Sequence, residues 1–129
     1  MKKTETSRTK YVIDGWQYNP RKRVPIKAIR AVAQMIADQF PVEKILLFGS
    51  YTYGKPAEGS DVDYHIIMNH RKPSNRKMMF EISESLSPLP FPMDLIVRTP
   101  RDLRERIPQG DWFLEDAYIK GRILYETRS

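Results

Sequence analysis

Cysteine is absent from the 129 residues, which excludes disulfides, thiolate metal sites and cysteine nucleophiles. No apolar run approaches the roughly 20 residues needed to span a bilayer. The opening Met-Lys-Lys-Thr-Glu-Thr-Ser-Arg lacks the apolar segment of a secretory signal. Collagen-like and low-complexity stretches, internal repeats and a linker marking a second domain are missing too. Together these absences leave a soluble, cytoplasmic protein with one compact core as the expectation. Residues 1–20 are expected to be a flexible extension and residues 21–129 a single domain.

What is present fits that class. With 40% hydrophobic and 29% charged residues the chain can both bury a core and stay solvated, and its ten prolines imply frequent breaks between elements. There are 22 basic against 16 acidic side chains, and the excess of +6 is clustered: Lys2, Lys3, Arg8 and Lys10; Arg21, Lys22 and Arg23; Arg71 and Lys72. Such clusters attract phosphate-bearing partners at long range, although a solvated basic tail is the better account of the first group.

Apolar spacing sets the order of elements. From Pro25, residues Ile26, Ile29, Val32 or Ala33, Ile36 and Phe40 recur at helical intervals, and Pro41 ends the pattern. Lys44 to Phe48 is a short apolar run stopped by Gly49, which predicts a strand buried on both faces. Residues 49–60 contain three glycines and a proline and read as a turn. Asp61 to Met68 is rich in strand formers. A helix is expected from Pro73 or Ser74, with Met79, Ile82 and Leu86 on one stripe. Phe91 to Val97 follows as a strand, and Thr99-Pro100 opens a short helix reaching Ile107. A last helix over Asp111–Lys120 ends at Gly121, before a short strand Arg122–Glu126. The fold class is α/β in the broad α+β sense: a small mixed sheet of three to five strands flanked by four to five helices.

Chemistry concentrates at the end of the first strand. Gly49 lets backbone N–H groups approach a phosphate with no Cβ in the way, and the Ser50 hydroxyl adds a donor. Taken alone, a Gly-Ser pair is just a turn. Ten residues separate it from Asp61-Val62-Asp63, however, and side chains two apart on a strand share a face. Two carboxylates held together repel and raise each other's pKa unless a cation sits between them. Hard oxygen ligands of this kind suit magnesium or manganese carrying a substrate's phosphates. Asp94 interrupts the apolar run Phe-Pro-Met-Asp-Leu-Ile-Val, a strand that otherwise wants burial, where an unpaired carboxylate is costly. If its strand lies beside the second, three carboxylates converge and can hold one or two metals.

The series Gly49-Ser50, ten residues, Asp61-x-Asp63 and then Asp94 in a later strand resembles the nucleotidyltransferase superfamily of DNA polymerase beta, and more closely the minimal nucleotidyltransferases (MNT) of bacteria and archaea. The likeness runs from about Lys44 to Glu126, including the closing Gly-Arg-Ile-Leu-Tyr-Glu. It implies that Gly49 and Ser50 bind the triphosphate of ATP, that Asp61 and Asp63 bind magnesium, and that Asp94 completes the metal site and assists the base. Family members often work beside a HEPN-domain protein as toxin and antitoxin, the MNT partner moving AMP onto the toxin. The resemblance therefore implies catalysis by Asp61, Asp63 and Asp94.

Other residues weigh less. Lys55, with Tyr51 and Tyr53, lies in the loop expected to face the phosphates and would neutralise them, the plain alternative being a solvated lysine. His65 would share the face of Asp61 and Asp63 and touch nucleotide or a metal-bound water. Trp112, Phe113 and Tyr118 are expected to pack the last helix on the sheet or meet a partner. Competing readings are a small-molecule nucleotidyltransferase, which would need a further acceptor-holding domain, a domain that only binds and masks a partner, and a nucleic-acid-binding module.

Overall fold

Ile45, Leu46 and Leu47 have no polar atom beyond their backbone, so they can sit only on an inner strand covered from both sides. In the computed structural model, which describes residues 13, 15–52, 59–112, 115 and 120–127, they are buried at the centre of strand β1 (Val42–Phe48). Strands β2 (Val62–Met68) and β4 (Arg122–Glu126) pair antiparallel with its two edges. Strand β3 (Met93–Arg98) runs parallel to β2, so the mixed four-stranded sheet has the order β3-β2-β1-β4.

Three strand starts differ from the sequence expectation, and β2 begins at Val62 because Asp61 lies just ahead of its ladder. β1 begins at Val42 because that buried residue still pairs with Met68 beyond an irregularity in register. β3 begins at Met93, since the preceding Phe91 turns into the core instead and Pro92 contributes only its carbonyl, which accepts from Val62 N–H at 3.1 Å.

Three helices have described bounds. Helix α1 (Ile26–Gln39) opens at Pro25, whose carbonyl accepts from the N–H groups of Ala28 and Ile29 at 3.0 and 3.1 Å. Its buried stripe is Ala28, Ile29, Val32, Ala33, Met35 and Ile36; Ile26 lies off it, 38% exposed. Helix α2 (Asn75–Leu86) is capped by Ser74, whose hydroxyl accepts from Lys77 N–H at 3.1 Å. It buries Met78, Ile82 and Leu86, one residue out of phase with the expected Met79, which is only partly buried. Spacing by four places all three on one line down the helix. Helix α3 (Pro100–Arg106) starts in a capping box: Asp102 N–H donates to Thr99 Oγ1 at 3.0 Å and Thr99 N–H to Asp102 Oδ2 at 2.8 Å. Trp112, Glu115 and Lys120 are also helical, and the rest of the expected 111–120 helix lies outside the described residues. None of the helices among the described residues is long and apolar enough to cross a membrane.

Alternation along β2 divides the sheet into two faces. Val62, Tyr64, Ile66 and Met68 join α1 and α2 in the main core, where the Tyr64 hydroxyl donates to Ile29 O at 2.9 Å. Ile13, Trp16 and Tyr18 pack on that core as well, Trp16 meeting Phe91 edge-on at 5.8 Å. The segment ahead of residue 21, expected to be flexible, is in these positions part of the packed domain. Asp63, His65 and Ile67 leave the other face of β2, and their register partners are Phe48, Leu46 and Lys44 on β1 and Asp94, Ile96 and Arg98 on β3.

Candidate active site

The carboxylates gather at one end of the sheet because β1 stops where β2 and β3 start. Gly49 ends β1 with φ +81°, a left-handed conformation that favours glycine. The chain then turns through Gly49–Tyr51, a single short 3-10 element closed by Thr52 N–H on Gly49 O at 2.9 Å and Thr52 Oγ1 on Leu47 O at 3.1 Å. Tyr51 anchors the turn: it is buried, and its hydroxyl accepts from Val24 N–H at 2.9 Å. Ser50, by contrast, faces solvent.

Across the strand pair, Asp63 sits opposite Phe48 on one side and Asp94 on the other. A Cβ built on Gly49 would overlap Asp63 Oδ2 and come within 3.2 Å of its Cγ. The bare Gly49 therefore makes room for this carboxylate as well as for an approaching phosphate. Asp63 is half-buried, and its pKa is pushed up to about 6 by burial first, then by the charges of Asp94 and Asp61. Asp61 precedes β2 instead of lying in it, and is exposed. Asp94 is exposed too, so the expected desolvated carboxylate is Asp63 and not Asp94. Edge position explains the difference: among the described residues β3 has only β2 beside it.

The sequence profile of the nucleotidyltransferase domain matches residues 29–128, which takes in the glycine-serine turn, all three aspartates and the closing strand. The chain belongs to the nucleotidyltransferase domain family. A solved structure of a candidate nucleotidyltransferase from Sulfolobus solfataricus is similar, with a TM-score of 0.48 and 21% identity, covering 60% of this chain and 68% of that one. No curated protein matches it. Nucleotidyl transfer is accordingly the chemistry of this transferase.

The nucleotidyltransferase's acidic residues fit a divalent cation. They offer only hard oxygen donors, and the pKa of Asp63, raised by burial first and then by the charges of Asp94 and Asp61, marks a carboxylate whose ionised form a cation would favour. Among the described residues no three such groups are already gathered as closely as an ion requires. A cation held by all three would require Asp61 and Asp94, both exposed, to turn toward Asp63.

Behind Asp63 on the same face lies His65, 1% exposed and without a hydrogen-bond partner for either ring nitrogen. Burial, then the charge of Arg98, lowers its pKa to about 4, so it is neutral at physiological pH. That depth keeps it from meeting a ligand that approaches Asp63 from solvent, contrary to the role expected for it. Arg98 Nε is likewise buried without a partner. No sequence signal announced this polar pair, because neither residue belongs to a motif. Trp112 is 75% exposed and does not pack on the sheet. Lys55, Tyr53, Phe113 and Tyr118 lie outside the described residues.

Proposed function

We propose that this nucleotidyltransferase is a minimal (MNT-type) enzyme that transfers AMP from ATP to a hydroxyl of a partner protein, acting as antitoxin to a HEPN-domain toxin. The observation that carries the reading is the position of Asp63, fitted against Gly49 and charge-coupled to Asp94 and Asp61. A carboxylate raised to about 6 is half-protonated at pH 6 and mostly ionised at pH 7, and a neutralising charge beside it completes the ionisation.

In this reading Gly49 N–H and the Ser50 hydroxyl hold the triphosphate, with Lys55 neutralising it, and Asp61, Asp63 and Asp94 hold magnesium or manganese. A cation held there would offset the carboxylate charge and help to carry the nucleotide's phosphates. The acceptor oxygen forms a bond to the α-phosphorus, the bond from that phosphorus to its bridging oxygen breaks, and pyrophosphate leaves. Asp94 is exposed at the sheet edge and takes the hydroxyl proton, which it can release to solvent.

The experiment is incubation with α-labelled ATP, magnesium and the product of the neighbouring gene. Label should move to that protein, and Asp61→Asn with Asp63→Asn should abolish it. Full labelling by the double variant would end the catalytic assignment. Equal suppression of toxicity by wild type and double variant would replace it with masking of the partner.

A further inference from the structure

Between Gly15 and Ala37 the sequence has no acidic residue, yet Arg21, Lys22, Arg23, Lys27 and Arg30 fall within ten positions. All five side chains are exposed, and none is ion-paired with a described residue. Elsewhere some cations are paired, as in Lys44–Glu126 at 3.2 Å and Lys72–Glu81 at 2.8 Å. The segment leading into α1 is thus a surface of one sign.

Beside it opens a cleft of about 430 Å³ lined by Gly15, Trp16, Gln17, Asn19, Lys22 and Arg23. Trp16 is half-buried and held by its edge-on contact with Phe91, so an aromatic ring is fixed in the wall of a cationic cleft. The cleft adjoins the Gly49–Tyr51 turn, because the Arg23 guanidinium lies 5.8 Å from the centre of the Tyr51 ring and Val24 N–H bonds the Tyr51 hydroxyl.

We propose that this arm binds single-stranded nucleic acid, with a base stacked at Trp16, phosphates on Lys22 and Arg23, and the strand continuing along Arg21, Lys27 and Arg30. Cations alone would serve any polyanion. The held tryptophan selects for an anion that carries flat rings, the row of further cations suits a strand over a single nucleotide, and among strands only an unpaired one presents its ring faces to a side chain. A cleft of this size admits one base, not a duplex. The inference uses none of the three aspartates, so it does not depend on AMP transfer to a protein.

The test uses the full chain with Trp112→Phe, an exposed substitution that leaves Trp16 as the sole tryptophan. Labelled single-stranded RNA and DNA oligonucleotides, a duplex and polyglutamate are titrated by anisotropy at several salt concentrations, with Trp16 emission followed in parallel. Single strands are expected to bind and quench Trp16. Combined Arg21→Gln, Lys22→Gln and Arg23→Gln should weaken binding roughly tenfold or more and flatten the salt slope by about 2. Circular dichroism should show these exposed changes leaving the fold intact. Asp61→Asn with Asp63→Asn should bind as tightly as wild type, which separates a failure here from a failure of the transfer reading. Unchanged binding by the triple variant overturns the proposal, as does a duplex that binds as tightly as the single strand. Polyglutamate that binds equally well without quenching overturns it in favour of an acidic protein surface.

Discussion

Gly49 and Asp63 face each other across β1 and β2 so closely that any side chain at position 49 would occupy the place of the Asp63 carboxylate oxygen. The same glycine has φ +81°, so a substitution there meets two penalties at once. Gly49→Ala is expected to lose about 1–2 kcal/mol from the left-handed conformation and, with Asp63 displaced, to abolish nucleotidyl transfer. Ser50→Ala, at an exposed position, should leave thermal stability unchanged and weaken nucleotide binding alone. Thermal unfolding beside a transfer assay separates the two; an active Gly49→Ala enzyme would show that the Asp63 position is not needed.

Asp63 holds its proton more tightly in the fold, at about 6, than in an unfolded chain near 3.8. Its contribution to stability is therefore present below about pH 4 and lost as pH rises through about 6. Asp63→Asn should melt higher than wild type at pH 8, with the advantage gone below pH 4. Magnesium should raise the melting temperature of wild type above pH 6 and leave Asp63→Asn unmoved. A variant that is destabilised equally at every pH would mean that Asp63 is structural and not held under repulsion.

His65 acts in the opposite sense over an overlapping range. Its folded pKa of about 4 lies below the unfolded 6.5, so its contribution is full above 6.5 and lost as pH falls toward 4. Between about 4 and 6 the two groups offset each other in the wild type. His65→Leu should expose the Asp63 slope, stability falling as pH rises, and Asp63→Asn should expose the His65 slope, stability rising with pH. Removing an imidazole with two unpartnered buried nitrogens should also cost little at pH 7, since leucine leaves no polar atom unsatisfied. Melting curves from pH 4 to 8 for the two variants check the signs; parallel slopes would refute the pairing.

Much of this site was legible because its signals are local. The apolar run ending at Phe48 and the glycine that stops it dictate a strand and a turn without reference to the rest of the chain, whereas the two-residue spacing of Asp61 and Asp63 does not reveal that Asp61 lies just ahead of the strand. What escaped was set by partners distant in sequence. Asp94 read as buried because an apolar run does not reveal that its strand is an edge. Met79 read as core because a helix's phase is fixed by the surface it meets, which here takes Met78. Trp16 sits in a segment with no periodicity, and only its meeting with Phe91 makes it part of the core. His65 alternates with core residues, and nothing local says that its face is covered.

The arm and the active-site turn are joined by one buried hydrogen bond, from Val24 N–H to the Tyr51 hydroxyl across 27 positions of sequence. Val24 is 1% exposed, so in Tyr51→Phe its N–H has no water to turn to. An unsatisfied buried donor costs about 1–3 kcal/mol, which for a domain of this size lowers the melting point by about 4 °C per kcal/mol. Tyr125→Phe, on the partly buried edge strand, should change it far less. Because Tyr51 ends the turn that carries Gly49 and Ser50, its loss should also raise the KM for nucleotide while kcat changes less, the groups being retained but less firmly positioned. Equal melting points for the two phenylalanine variants would show that the bond does not secure the turn.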